Sequence, residues 1–221
     1  MDIDLSPVLN NWRFIAAGLA MTLGLSLSTV VCAATLGTAI GLGRAYAPGW
    51  LRVPLTFYVD SMRAIPVLVV LVWTFFAFPI LTGATLPPFW AALVALTAHI
   101  AASVSEIVRA GVTSVRSGQT RAGLALGMSQ SQVIRNVILP QAIVRMLPAL
   151  GSILSITIKD TAIATVIAVP ELMRQSETIA AQSFRPIEVF TTTMILYFLI
   201  LFPATRGVDA VYRRFAHLGR S

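Results

Sequence analysis

Two uncharged stretches limit what this chain can fold into. No Asp, Glu, Lys or Arg occurs between Arg13 and Arg44, and none between Arg63 and Glu106. Crossing the hydrocarbon core of a bilayer takes about 20 mostly apolar residues, so the first stretch holds one span. The second is long enough for two, with the turn between them marked by Thr82-Gly83 and Pro87-Pro88. A fourth span falls around 142–166, interrupted by Pro148, Lys159 and Asp160, and a fifth at 188–207. The expected set is 19–43, 62–81, 88–108, 142–166 and 188–207, which makes an all-α membrane protein of five transmembrane helices. Residues 1–18 then form a short N-terminal segment, 19–209 the transmembrane domain and 210–221 a basic tail. Composition agrees, with 57% apolar residues and 11% charged, against about 25% charged in a soluble domain.

Five spans place the termini on opposite sides. One side then carries Arg44, Arg52, Arg109, Arg116, Arg121, Arg135, Arg206, Arg213, Arg214 and Arg220. The other has Arg13, Arg174 and Arg185, together with Asp2, Asp4, Glu171 and Glu177. The positive-inside rule makes the arginine-rich side cytoplasmic, so the N-terminus is expected outside and the C-terminus inside. The net charge of +7 does not point to nucleic acid, because the arginines are dispersed at membrane edges rather than gathered in a stripe. Residues before the first apolar run are acidic, unlike a cleavable leader, so the first span is expected to remain as an anchor. Cys32 is the sole cysteine, which excludes an intrachain disulfide.

Between the third and fourth spans the chain spends a long polar segment, Gly118 to Pro140, on one connection. Gly127 suits the left-handed turn that stops a helix. Ser129 and Gln132 have the spacing of a capping box that starts another. Val133, Ile134 and Val137 give that second helix an apolar face, and Pro140 ends the pattern or opens the next helix. Two short helices bent about a glycine make a knob suited to a groove on another protein.

This segment resembles the EAA loop of binding-protein-dependent ABC importer permeases. The family pattern is Glu-Ala-Ala, three residues, Gly, nine residues, Ile, one residue, Leu-Pro. Here the matching positions are Arg121-Ala122-Gly123, Gly127, Val137 and Leu139-Pro140. Arg121 stands where the family has its glutamate, Gly123 for the second alanine and Val137 for the isoleucine. Arg63-Ala-Ile-Pro66, Glu106-Ile-Val-Arg-Ala-Gly111, Ile158-Lys-Asp-Thr161 and Val169-Pro-Glu-Leu172 extend the likeness to the polar amino acid branch over nearly the whole chain. The resemblance implies the type I ABC importer transmembrane fold. It implies an ATPase-coupling loop over 113–140, with Gly118, Arg121, Ala122, Gly123, Gly127, Ser129, Arg135 and Pro140 as its candidate residues. It implies as partners a second permease chain, identical or related, two ATPase subunits that hold ATP and Mg, and a periplasmic solute-binding protein. Membrane lipid surrounds the spans, and a polar amino acid is the substrate.

No site for chemistry is visible on the chain itself. It has no Gly-rich loop ending in Lys-Ser/Thr, and zinc needs three or four converging ligands that two histidines and one cysteine do not supply. No metal, cofactor or enzymatic activity is expected on it. His99 reads as a structural histidine with its hydrogen bonds satisfied, and His217 as a solvated tail residue. Charge within the membrane is the better lead, because at mid-bilayer it costs about 2.5–3.5 kcal/mol and tends to line a water path or to pair. Lys159 and Asp160 are such residues, with Thr157 and Thr161 flanking them on one helical face as candidate hydroxyl donors to a zwitterion. The alternative for the pair is an interfacial position with the side chains reaching to water. Arg63 is either a cytoplasmic anchor or part of a gate, and Glu106–Arg109 has the spacing of a structural ion pair. From these residues alone, a self-sufficient secondary transporter or channel subunit is the competing function, with the polar loop as a regulatory contact. A scaffold without transport activity would not need the Lys-Asp pair.

Overall fold

The computed structural model describes residues 4–215, so Asp2, His217 and Arg220 lie outside the described residues. Within these bounds the chain is helical almost throughout. Helices α1 (Ser6–Asn10) and α2 (Trp12–Tyr46) are followed by α3 (Gly49–Ala64) and α4 (Val67–Val72). A π-helical stretch (Trp73–Ala77) leads to α5 (Phe78–Thr82), and then come α6 (Pro88–Thr113) and α7 (Ser117–Ala125). Next, α8 (Gln130–Val133) passes through a second π-helical stretch (Ile134–Ile138) into α9 (Leu139–Asp160) and a 3₁₀ segment (Thr161–Ile167). The last two helices are α10 (Leu172–Ser183) and α11 (Pro186–Phe215).

Four helical runs are long and apolar enough to cross a bilayer, namely Trp12–Tyr46, Pro88–Thr113, Gln130–Ile167 and Pro186–Arg214. The bent pair Gly49–Ala64 and Val67–Thr82 makes a fifth if it is taken as one span. The sequence suggests an unbroken second span over 62–81, whereas the pair bends by 106° at Ile65-Pro66. Proline disfavours the α conformation in the residue before it, and here Ile65 is extended, at φ −91° and ψ 131°. Arg63 therefore belongs to the last turn of α3, exposed beside the break, and not to the span that follows.

The central pair is α2 against α6. A Cβ on Gly37 would lie 2.6 Å from Val104 Cβ, and one on Gly41 2.7 Å from the Ser105 carbonyl oxygen. Small residues four apart let two membrane helices approach backbone to backbone, where dispersion and not water exclusion holds them. Buried alanines continue the contact, with Ala33, Ala101 and Ala102 all inaccessible.

Both π stretches come just before a proline, Pro79 in the first case and Pro140 in the second. A proline ring lacks the N–H and crowds the carbonyl four residues back, and a π turn accommodates that mismatch without a break. Pro140 therefore neither ends the knob nor starts a separate helix. The chain runs from Gln130 to Ile167 as one 38-residue helical element, so the connection expected over 113–140 is half loop and half extension of the fourth span.

On the opposite side, α10 lies across the ends of α2 and α11. Its first residue is tied down when the Leu172 N–H donates to Thr22 Oγ1 at 3.1 Å. Glu171 caps the helix, accepting from the Met173 and Arg174 N–H groups at 2.8 and 2.7 Å and from the Tyr197 hydroxyl at 3.3 Å. The carboxyl is wholly buried. Burial outweighs these hydrogen bonds and pushes its pKa up to about 6 from the ordinary 4.5.

Candidate functional site

The polar connection folds into a compact knob. At the end of α7 the Met128 N–H reaches the Gly123 carbonyl at 3.1 Å and the Gly127 N–H reaches Leu124 at 3.0 Å. That pair of bonds is a Schellman stop, and it needs a left-handed residue at Gly127, which has φ 81°. Ser129 then starts α8 with both halves of a capping box: its Oγ accepts from the Gln132 N–H, and its own N–H donates to Gln132 Oε1 at 2.8 Å. Gly123 is buried because α7 and α8 press together there. A Cβ at that position would come 2.8 Å from Val133 Cγ2, which accounts for glycine where the resemblance has alanine.

Val133 anchors the knob. It is fully buried, in one cluster with Val112 of α6, Val115 just beyond it, Ile138 of the second π-helical stretch, and Ala142 and Met146 of α9. Arg145 reinforces the joint by donating to the Ser114 carbonyl at 2.6 Å. What the knob leaves outside is apolar as well as charged. Leu126 is 83% exposed and Leu124 47%, beside exposed Arg121, Ala122, Gly127, Ser129 and Arg135, while Gly118 and Pro140 are exposed at its two ends.

Close to this joint lies an ion network. Glu106 pairs with Arg109 one turn on, as the spacing suggests, and also with Arg44 at the end of α2, at 2.8 Å. The Arg44 side chain is 6% exposed and also reaches Ser105 Oγ and Thr56 Oγ1 at 3.4 Å. The sequence reading misses Arg44 as a partner. Its only signal is an arginine closing an uncharged run, which any membrane anchor shows.

At the far end of α9, Lys159 and Asp160 diverge. Lys159 is exposed and lines a groove of about 280 Å³ between α9 and α11, with Ser152, Ser155, Thr205 and Asp209. Asp160 is half-buried at the point where α9 passes into the 3₁₀ segment. Thr157 and Thr161 depart from the expected pattern. Both are fully buried, and their hydroxyls donate to the Ile153 and Ile158 carbonyls of their own helix at 2.8 Å. A 100° step per residue puts Thr157 and Thr161 on the packed face, so neither offers a hydroxyl to a passing zwitterion. His99 also departs, since its Nδ1 is enclosed without a hydrogen bond among the described residues.

A helical subunit with several runs long and apolar enough to cross a bilayer, and with a polar knob on the helix that carries Lys159 and Asp160, is a recognisable class of transport component. The chain belongs to the binding-protein-dependent transport system inner membrane component family, whose profile matches residues 35–217. It is 36% identical over 203 residues to the glutamine transport system permease protein GlnP of Escherichia coli (strain K12), covering 90% of this chain and 92% of the relative. The arginine transport system permease protein ArtQ of Bacillus subtilis (strain 168) is 31% identical over 217 residues, covering 97% and 98%. Among solved structures, an amino acid ABC transporter crystallised with histidines superposes with TM-score 0.90 at 30% identity, over 97% of this chain and 100% of that one. The MetNI methionine ABC transporter in inward-facing form shares the fold, with TM-score 0.81 at 19% identity over 93% and 97%. Family, fold class and multi-pass inner-membrane character thus agree with the sequence reading, and the self-sufficient transporter falls away.

Proposed function

We propose that this chain is the permease subunit of an ATP-driven importer of polar amino acids. It spans the inner membrane and leaves hydrolysis to separate ATPase subunits. The observation that carries the mechanism is the unbroken helix from Gln130 to Ile167. At 1.5 Å per residue, Gln130 and Lys159 sit roughly 43 Å apart on one element. A displacement of the knob is therefore transmitted to the polar pair without a flexible joint. The capping box and the Schellman stop make the knob stiff enough to act as the handle of that lever.

In this proposal two permease chains enclose the pathway. Two ATPase subunits, which hold ATP and Mg, dock on the knobs over Leu126 and Arg121. A solute-binding protein delivers substrate to the outer face, with the N-terminus outside and the C-terminus in the cytoplasm. Closure of the ATPase dimer moves the knobs, and the spans rock between outward and inward access. In this reading Lys159 and Asp160 line the route, Lys159 towards the α9–α11 groove, with Arg63 at the break that ends α3. The test is uptake by Asp160→Asn and Lys159→Met at matched levels of intact complex. Loss of a charge-assisted hydrogen bond to a zwitterion, about 1.5–3 kcal/mol, lowers uptake ten- to a hundredfold. Full activity in both variants places the route elsewhere.

A further inference from the structure

We infer that the ATPase groove receiving the knob is acidic, with carboxylates set against Arg121 and Arg135 around an apolar floor for Leu126. The acidic groove rests on the reading above that ATPase subunits dock on the knob, and it adds the sign of the charge they must present. Between Glu106 and Asp160 the chain has no acidic residue, while the knob carries Arg116, Arg121 and Arg135. All three arginines are exposed. Glu106, at the acidic edge of this stretch, is already engaged by Arg44 and Arg109. None of the ion pairs among the described residues reaches Arg116, Arg121 or Arg135. The knob thus presents positive charge that the chain itself does not answer.

The backbone beneath these side chains is fixed. Gly123 of α7 seats against Val133 of α8, and Val133 is fully buried. Arg121, Leu124 and Ala125 share a face of α7 that excludes Gly123, by their i, i+3, i+4 spacing, and all three are exposed. Leu126 follows at the helix stop, 83% exposed. A helix that lies in a bilayer surface carries several Lys or Arg on one face and Trp, Phe or Leu on the other. Here Arg121 is the single cation of α7, it stands beside Leu124, and 116–140 holds no aromatic residue and no lysine. One guanidinium beside apolar contacts on a fixed backbone suits a discrete carboxylate, which its planar fork can meet with two parallel hydrogen bonds. Charge complementarity of this kind selects partners and speeds their encounter.

The experiment places the full chain in phosphatidylcholine nanodiscs and follows its association with the ATPase subunit that copurifies with it. Interferometry gives the rate constant at ionic strengths from about 0.05 to about 0.5 M, over which exposed charges become screened. For the parent the rate constant should fall about tenfold across that range. Arg121→Gln with Arg135→Gln should lower the low-salt value about tenfold and leave it flat with salt. Arg121→Glu with Arg135→Glu should invert the profile, with association slowest at low salt and quickening as repulsion is screened. Misfolding of the knob would not produce that inversion. Leu126→Ala should weaken attachment by the same factor at every salt concentration, since apolar contact is not screened. If the double glutamine variant keeps the parent's profile, or the double glutamate variant also declines with salt, the inference is overturned while the importer reading stands. Attachment of Leu126→Ala at parent level removes the apolar floor and overturns it as well. An effect of the arginines confined to nanodiscs containing phosphatidylglycerol would assign them to the membrane surface, against the inference. If no ATPase subunit copurifies with the parent chain, the importer reading falls and the acidic groove with it.

Discussion

Replacing Glu106 tests how the ends of α2 and α6 are held beneath the knob. Glu106 is the single acidic group between two arginines, and its side chain is 26% exposed while that of Arg44 is 6% exposed. Removing it by Glu106→Ala leaves Arg44 buried, with only the Ser105 and Thr56 hydroxyls at 3.4 Å. An uncompensated buried charge costs about 3–5 kcal/mol, and partial access of water to Glu106 puts the expected loss near the lower figure. Glu106→Gln retains an acceptor and should cost about 1.5–3 kcal/mol. Arg109→Gln removes a partner that is 37% exposed and should cost about 1 kcal/mol or less. The double change Arg44→Met with Glu106→Gln removes the stranded charge together with its partner, so it should recover most of the loss. Thermal unfolding of the detergent-solubilised chain reads this directly, at about 2–4 °C per kcal/mol for a chain of this length. A melting temperature within 1 °C of the parent for Glu106→Ala would refute the argument. So would a double variant less stable than Glu106→Gln alone.

Three further outcomes follow from the same geometry. No atom lies within 4 Å of a Cβ built on Gly127, so Gly127→Leu costs only its left-handed backbone, about 1–2 kcal/mol. It should lower ATPase attachment or coupled uptake five- to thirtyfold while insertion is normal, and unchanged transport would refute the role of the knob. On a Cys32→Ser background, a cysteine at exposed Ser131 should react with an impermeant reagent only from the cytoplasm, and one at exposed Gln182 only from outside; labelling of both from one side contradicts the topology. The Glu171 carboxyl binds its proton more tightly in the folded chain, at about 6 against 4.5. Stability present below pH 4.5 is therefore lost as pH rises to 6, by about 2 kcal/mol. Glu171→Gln should flatten the melting profile in that window, and an equally steep profile would show that another group titrates.

Local patterns in the sequence carried much of this architecture. The uncharged runs show as spans because a charge in hydrocarbon is costly wherever it sits. The Gly127 stop and the Ser129–Gln132 box are legible because capping is settled within six residues, and Glu106–Arg109 because it closes within one turn. The missed features depend on distant residues or on angle. Arg44 meets Glu106 across two helices, a contact 62 residues apart in sequence. Pro66 signals a break but says nothing of a 106° bend. Thr157 and Thr161 lie on one helical face, as their spacing suggests, yet which face packs inward depends on the approach of neighbouring helices. Pro140 has the same local meaning whether a helix starts, stops or runs through it, and here the helix runs through it from a π stretch.

The chain works as the permease of a binding-protein-dependent, ATP-driven importer. Reconstitution in vesicles with its ATPase subunits and solute-binding protein measures this most directly, by following accumulation of a labelled polar amino acid. The predicted result is uptake that needs ATP and the binding protein together, and that is lost with Gly127→Leu. Uptake by this chain alone, driven by an ion gradient and indifferent to ATP, would contradict it.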